Sequence, residues 1–182
     1  MLISHKYKFL TIDIPKTGTR SLRQTLAPIG GFDFSARGNQ NKFFKQHGNI
    51  ASCESGFIKK GWNFDDYLKV SMVRNPWHRL ISFFLYQKAN KDRFINASSA
   101  DLLGWSDLAI AQGQRFLKIW KQFNMDDEKV LRFVISKAPS QRSFFLNGNG
   151  DLTVDILGKT ENLEKHFDNL CKTESINPAP KL

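Results

Sequence analysis

The stretch Pro15-Lys16-Thr17-Gly18-Thr19-Arg20-Ser21 ends an apolar, β-branched run that begins at Phe9. A lysine, a glycine and three small hydroxyl residues where a helix begins are the materials of an oxyanion site. The first N–H groups of a helix and its positive dipole end attract phosphate or sulfate, and Lys16 adds a full charge. Gly18 permits close backbone approach. A second apolar run, residues 67–74, leads into Arg74-Asn75-Pro76-Trp77-His78-Arg79-Leu80-Ile81-Ser82. Arg74 offers a guanidinium fork, a group that suits a phosphate or carboxylate, and Ser82 a hydroxyl eight residues on. The Walker pattern G-x-x-x-x-G-K-[ST] accounts for neither stretch. Around Lys16 the lysine precedes the glycine, and Gly158-Lys159-Thr160 has Thr153 where the first glycine belongs.

Strand ends and helix starts must hold these residues in place. Residues 7–14 read as a strand and 19–26 as a helix ended by Pro28 and Gly30-Gly31. Residues 32–49 form a long polar connection with aromatic patches, the kind of loop that usually carries function. A short helix is expected over 50–60, capped by Asn49 and stopped by Gly61. Residues 67–74 have the pattern of a buried strand, and Asn75 as N-cap with Pro76 at the first helical position opens the next helix. Trp77 is expected to pack against a helix, the alternative being to stack on a ligand ring, with His78 and Arg79 structural or facing solvent.

Residues 100–137 are helical by pattern, with Leu102, Leu103, Leu108, Phe116, Leu117, Trp120 and Phe123 as one core stripe. Val130, Leu131, Phe133 and Val134 make another, readable as helix or strand. Residues 152–157 are the expected last strand, which would take in Thr153, and 161–171 the closing helix, before an irregular tail over about 173–182. Two strands that each feed a helix argue for an α/β fold, a parallel sheet flanked by helices, in one domain spanning 1–182.

Composition narrows the classes. The chain has 182 residues, 41% apolar and 24% charged, with 16 Phe and 4 Trp, which fits one packed globular domain. No run approaches the roughly 18–20 apolar residues of a spanning helix, and the first strand follows Lys6 and Lys8 closely, so a soluble, cytoplasmic protein is expected. Cys53 and Cys171 match no metal spacing and read as reduced thiols, which makes Asn96-Ala97-Ser98 a chance glycosylation match. The formal net charge of +10 suits an anionic ligand or a generally basic surface. Its positive residues are not gathered in one block, which argues against a nucleic-acid-binding arm.

The two motifs together resemble the sulfotransferase superfamily that uses 3′-phosphoadenosine 5′-phosphosulfate (PAPS), and most closely its carbohydrate branch. Gln46-His47 between the motifs, Gln141 ahead of Phe144-Phe145-Leu146, and residues 155–163 extend the likeness over about 9–170. The resemblance implies a P-loop-kinase-like architecture and sulfuryl transfer from PAPS to a hydroxyl, leaving adenosine 3′,5′-bisphosphate, with no metal. The implied acceptor is a saccharide, neutral or acidic, with neither nucleic acid nor a membrane span involved.

Residue by residue, the resemblance assigns the 5′-phosphosulfate to Lys16, Thr17, Gly18, Thr19, Arg20 and Ser21 and the 3′-phosphate to Arg74 and Ser82, with Lys159 adding charge nearby. A cation beside the leaving phosphate stabilises charge that grows as the S–O bond breaks, and Lys16 is the residue for it. Arg20 stands where relatives carry a small or hydroxyl residue, and its role is open between sulfate, acidic acceptor and solvent. Attack by a hydroxyl needs a base. Of His5, His47, His78 and His166 only His47 lies between the motifs, with Glu54 as the reserve. The chain is short for this superfamily, so its acceptor cleft is either open or completed by a second copy. Two other classes fit the basic, anion-binding character: a P-loop kinase-like nucleotide enzyme, which requires Mg²⁺, and a basic nucleic-acid-binding module.

Overall fold

A computed structural model of the chain describes residues 1–26, 34–35, 44 and 47–173. Two compact units are distinguished, Met1–Asn75 with Pro139–Leu182, and Pro76–Ala138.

The first unit is a five-stranded sheet with helices α1 (Thr19–Leu26), α2 (Ile50–Lys60) and α7 (Leu163–Thr173). Its strands are β1 (Leu2–Ser4), β2 (Phe9–Ile12), β3 (Phe34–Ser35), β4 (Leu68–Val73) and β5 (Ile156–Lys159), in the spatial order β3-β1-β2-β4-β5. The expected parallel arrangement holds for β2, β4 and β5, with Ile12 opposite Ser71 and Val73 opposite Lys159. β1 and β3 add to it antiparallel, so the sheet is mixed. The last strand starts later than 152; Leu152 makes only a single bridge to Leu146, and Thr153 precedes the strand.

Alternation along β2 divides its side chains between two cores. Leu10 and Ile12, with Ile14 beyond them, join Ile50, Cys53 and Phe57 on one side, where α2 packs. Phe9 faces Leu22 and Leu26 of α1, Val70 and Met72 of β4, and Phe167 and Leu170 of α7 on the other. Each fully buried large apolar side chain contributes roughly 1.5–3 kcal/mol relative to exposure. Asn49 caps α2 by accepting the Ser52 N–H at 3.0 Å, and left-handed Gly61 (φ 69°) ends it, as its sequence predicts. Both cysteines are free and buried, and burial pushes the Cys53 thiol up to about 12.

The second unit holds α3 (Pro76–Ile95), α4 (Ser99–Leu103), α5 (Asp107–Gln122) and α6 (Asp127–Lys137). Phe84, Phe116, Trp120, Val130 and Val134 form its core. The ambiguous 130–134 stretch is helical, because Asp126 caps it by accepting the Glu128 and Lys129 N–H groups and outweighs the β-branched content. Leu103 and Leu108, expected in the core, are exposed at 89% and 54%, since α4 is a separate short helix and breaks the stripe. Trp77 is likewise exposed rather than packed, at 67%.

Gly113 of α5 lies against Phe94 of α3, and a Cβ there would sit 2.5 Å from the Phe94 Cβ. Alanine gains about 1 kcal/mol of helix propensity at an open site, but overpacking costs typically 1–3 kcal/mol. The clash involves an atom fixed to the backbone, so it wins. Gly113→Ala is expected to lower the stability of this unit, read as an earlier denaturant midpoint.

Candidate active site

Three parallel strands deliver their C-terminal ends to one edge of the sheet: β2 leads to the 15–19 loop, β4 to Arg74 and β5 to Thr160. Ligands of open parallel sheets bind at that edge. Within the loop Lys16 has φ 69° and Gly18 φ 78°, both left-handed. Glycine adopts such a φ freely, whereas a lysine held there is strained, a condition that clusters at ligand sites. The Thr17 hydroxyl donates to the Ile14 carbonyl at 3.0 Å and holds the turn closed. The Leu22 N–H donates to the Gly18 carbonyl at 3.2 Å, and α1 follows with no acidic residue in its first turn.

The loop gathers charge of one sign. The Arg74 guanidinium donates from Nη1 to the Lys16 carbonyl at 3.4 Å. Burial, then Arg74, then Arg20 hold the Lys16 ammonium below its ordinary pKa of 10.5. Arg20 is exposed in the first turn of α1, close enough for its charge to act on Lys16. A polyanion between these cations relieves their repulsion, so anion binding and protonation of Lys16 reinforce one another. Thr17 and Thr19 are buried and Ser21 is exposed.

Three side chains that follow the second unit in sequence grip the backbone of this edge. The Thr160 hydroxyl lies 2.8 Å from the Thr17 carbonyl and 2.9 Å from the Val73 carbonyl, and its single hydrogen can serve either. Gln141 accepts the Arg74 N–H at 2.9 Å and donates to the Arg74 carbonyl at 2.7 Å. Glu161 accepts the Asn75 N–H at 2.7 Å. Sequence reasoning assigned no role to Thr160 or Glu161, since bonds from a side chain to a distant backbone leave no periodic signal. Lys159 is exposed, directly opposite Val73 in the sheet.

His47 is held against the chain just past the end of β2. Its Nδ1 lies 2.9 Å from the Asp13 carbonyl, and since a carbonyl only accepts, Nδ1 carries the hydrogen and Nε2 the lone pair. Burial lowers the His47 pKa from 6.5, against the opposing pull of the Asp13 carbonyl and charge. The ring is therefore neutral at pH 7 and basic at Nε2. Asp13 itself is fully buried, with the Met1 ammonium on its carboxylate, Arg23 Nε at 3.3 Å and the Thr11 hydroxyl at 3.1 Å. His47 borders a cleft of about 350 Å³ together with Asn49, Ser52, Pro139, Ser143 and Phe144.

The model of the sulfotransferase family matches residues 1–179. This chain belongs to that family. No significant match is found among curated proteins or solved structures. The sulfotransferase is thus a transferase enzyme of α/β fold, and sulfuryl transfer in general is its chemistry. Of the site residues expected from its sequence, the first unit brings Lys16, Thr17, Gly18, Thr19, Arg20 and Arg74 to one sheet edge. Glu54 lies on α2, half-buried. Ser82 lies half-buried on α3 of the second unit, beside buried Arg79 and not far along the chain from exposed His78. Gln46 falls outside the described residues. No helix among the described residues is long and apolar enough to cross a membrane.

Proposed function

We propose that this sulfotransferase moves a sulfuryl group from PAPS to a hydroxyl of a saccharide. The observation that carries the reading is the convergence of Lys16, Arg20 and Arg74 on a strained loop at the start of α1. That donor set fits a nucleotide with several anionic oxygens. Bound PAPS supplies an activated sulfuryl group whose departure leaves a phosphate. Lys16, with the loop N–H groups and hydroxyls of Thr17, Thr19 and Ser21, holds the phosphosulfate end. Arg74 and Lys159 answer the 3′-phosphate, and Ser82 is the hydroxyl that the family likeness assigns to it. His47 takes the proton of the acceptor hydroxyl at Nε2, in the tautomer its Asp13 bond imposes. The cleft beside it, with neutral hydrogen-bonding groups on Asn49, Ser52 and Ser143 and an apolar side at Phe144, suits a sugar ring in size and chemistry.

Titration calorimetry tests the donor. Adenosine 3′,5′-bisphosphate is expected to bind more tightly than ATP–Mg²⁺; the reverse order would favour a kinase-like enzyme and sink the proposal. Transfer from labelled PAPS to a panel of saccharides then identifies the acceptor.

A further inference from the structure

Thr160 and Gln141 bond to backbone groups of the anion loops, and Glu161 accepts the Asn75 N–H, so these bonds aim main-chain groups. In a trans peptide the C=O and the next N–H point to opposite sides. With the Thr17 carbonyl turned to Thr160, the Gly18 N–H must point away from it. With the Val73 carbonyl turned to the same hydroxyl, the Arg74 N–H must also point away, and it meets Gln141 at 2.9 Å. One hydroxyl thus lies within 2.9 Å of both the loop after β2 and the end of β4, and Gln141 fixes the backbone of Arg74 on both sides of that residue.

The contact is close at Gly18 as well. A Cβ on Gly18 would lie 3.2 Å from the Thr160 methyl, so the loop and Thr160 are packed as one body. Nothing in these bonds depends on the charge of the ligand. They set where two cation-bearing backbones stand relative to each other.

We propose that Thr160 and Gln141 are positioning residues that fix the spacing between the two anion loops and thereby select a nucleotide phosphorylated at both its 5′ and 3′ positions. This rests on the assignment of PAPS as donor. A ligand with one phosphate needs only one loop and tolerates a change in spacing. A ligand with two must match the separation, and loses affinity when the separation drifts.

The test compares binding of adenosine 3′,5′-bisphosphate and adenosine 5′-monophosphate by calorimetry. Wild-type protein is expected to prefer the bisphosphate. Thr160→Val, which keeps the shape and removes the donor, is expected to lose about tenfold of that preference while monophosphate binding changes little. Thr160→Ser keeps the hydroxyl and is expected to restore it. Gln141→Leu provides an independent variant, acting on Arg74 without touching the 15–19 loop, and is expected to erode the same ratio. A wild-type preference that survives both Thr160→Val and Gln141→Leu, whether the two affinities hold or both nucleotides weaken equally, overturns the positioning role and leaves the donor assignment standing. Wild-type protein with no preference for the bisphosphate overturns the donor assignment, and the selection with it.

Discussion

Replacement of Lys16 by alanine is expected to slow sulfuryl transfer by on the order of 10³-fold, the range found when a preorganised charge-stabilising group is removed from a transition state. In the proposed transfer the ammonium answers charge on the leaving phosphate that is greatest as the S–O bond breaks, so its loss is expected to fall more on kcat than on donor affinity. The loss of activity is not expected to come from unfolding. Burial, Arg74 and Arg20 all disfavour the charged lysine in the folded protein. Because its pKa is lower folded than unfolded, the unfolded chain binds more protons in the window below 10.5, and stability contributed by this residue rises with pH across it. Alanine removes that repulsion, and the thermal midpoint at neutral pH should be unchanged or higher. Lys16→Arg keeps charge but brings a planar fork to a left-handed position built around a compact ammonium, and should recover only part of the rate. Transfer kinetics with labelled PAPS, beside thermal melts, check both statements. Near wild-type kcat in Lys16→Ala would remove Lys16 from the chemistry.

Local signals in the sequence reached the right elements wherever a short segment determines its own structure. Asn49 and Gly61 bound α2, Pro76 opens α3, and 19–26 is helical directly after the left-handed Gly18. The same reading placed Lys16 and Arg74 at strand ends, and parallel pairing of β2 with β4 brings those ends together. It failed where the answer is set from a distance. β1 and β3 are too short to show alternation and exist by pairing with β2 and with each other's edge. β5 was displaced because Leu152 and Val154 look as strand-like as Ile156, yet only residues from Ile156 onward find a partner in β4. The grip of Thr160, Gln141 and Glu161 on the loops was likewise hidden, since the acceptors and donors they use are backbone groups that every residue has. What the sequence could supply was the list of cations; what folding adds is the arrangement that makes them crowd one loop.

His47 carries the other large expected effect. His47→Ala should lower kcat by about 10²-fold or more if Nε2 accepts the acceptor proton, with little change in binding of adenosine 3′,5′-bisphosphate. Asparagine is the sharper substitution, because its amide can still donate to the Asp13 carbonyl while offering no base. Equal losses in His47→Ala and His47→Asn would assign the effect to proton transfer; recovery in His47→Asn would assign it to the loop that the Asp13 bond anchors. The pH profile separates the two in the wild type as well. A base works only when deprotonated, so the rate falls as pH drops through its pKa, and burial has moved that pKa below 6.5. The acid limb of kcat/KM should therefore lie below 6.5 and vanish in both variants. A limb that persists unchanged in His47→Asn would pass the role to another group, with half-buried Glu54 on α2 the first to examine.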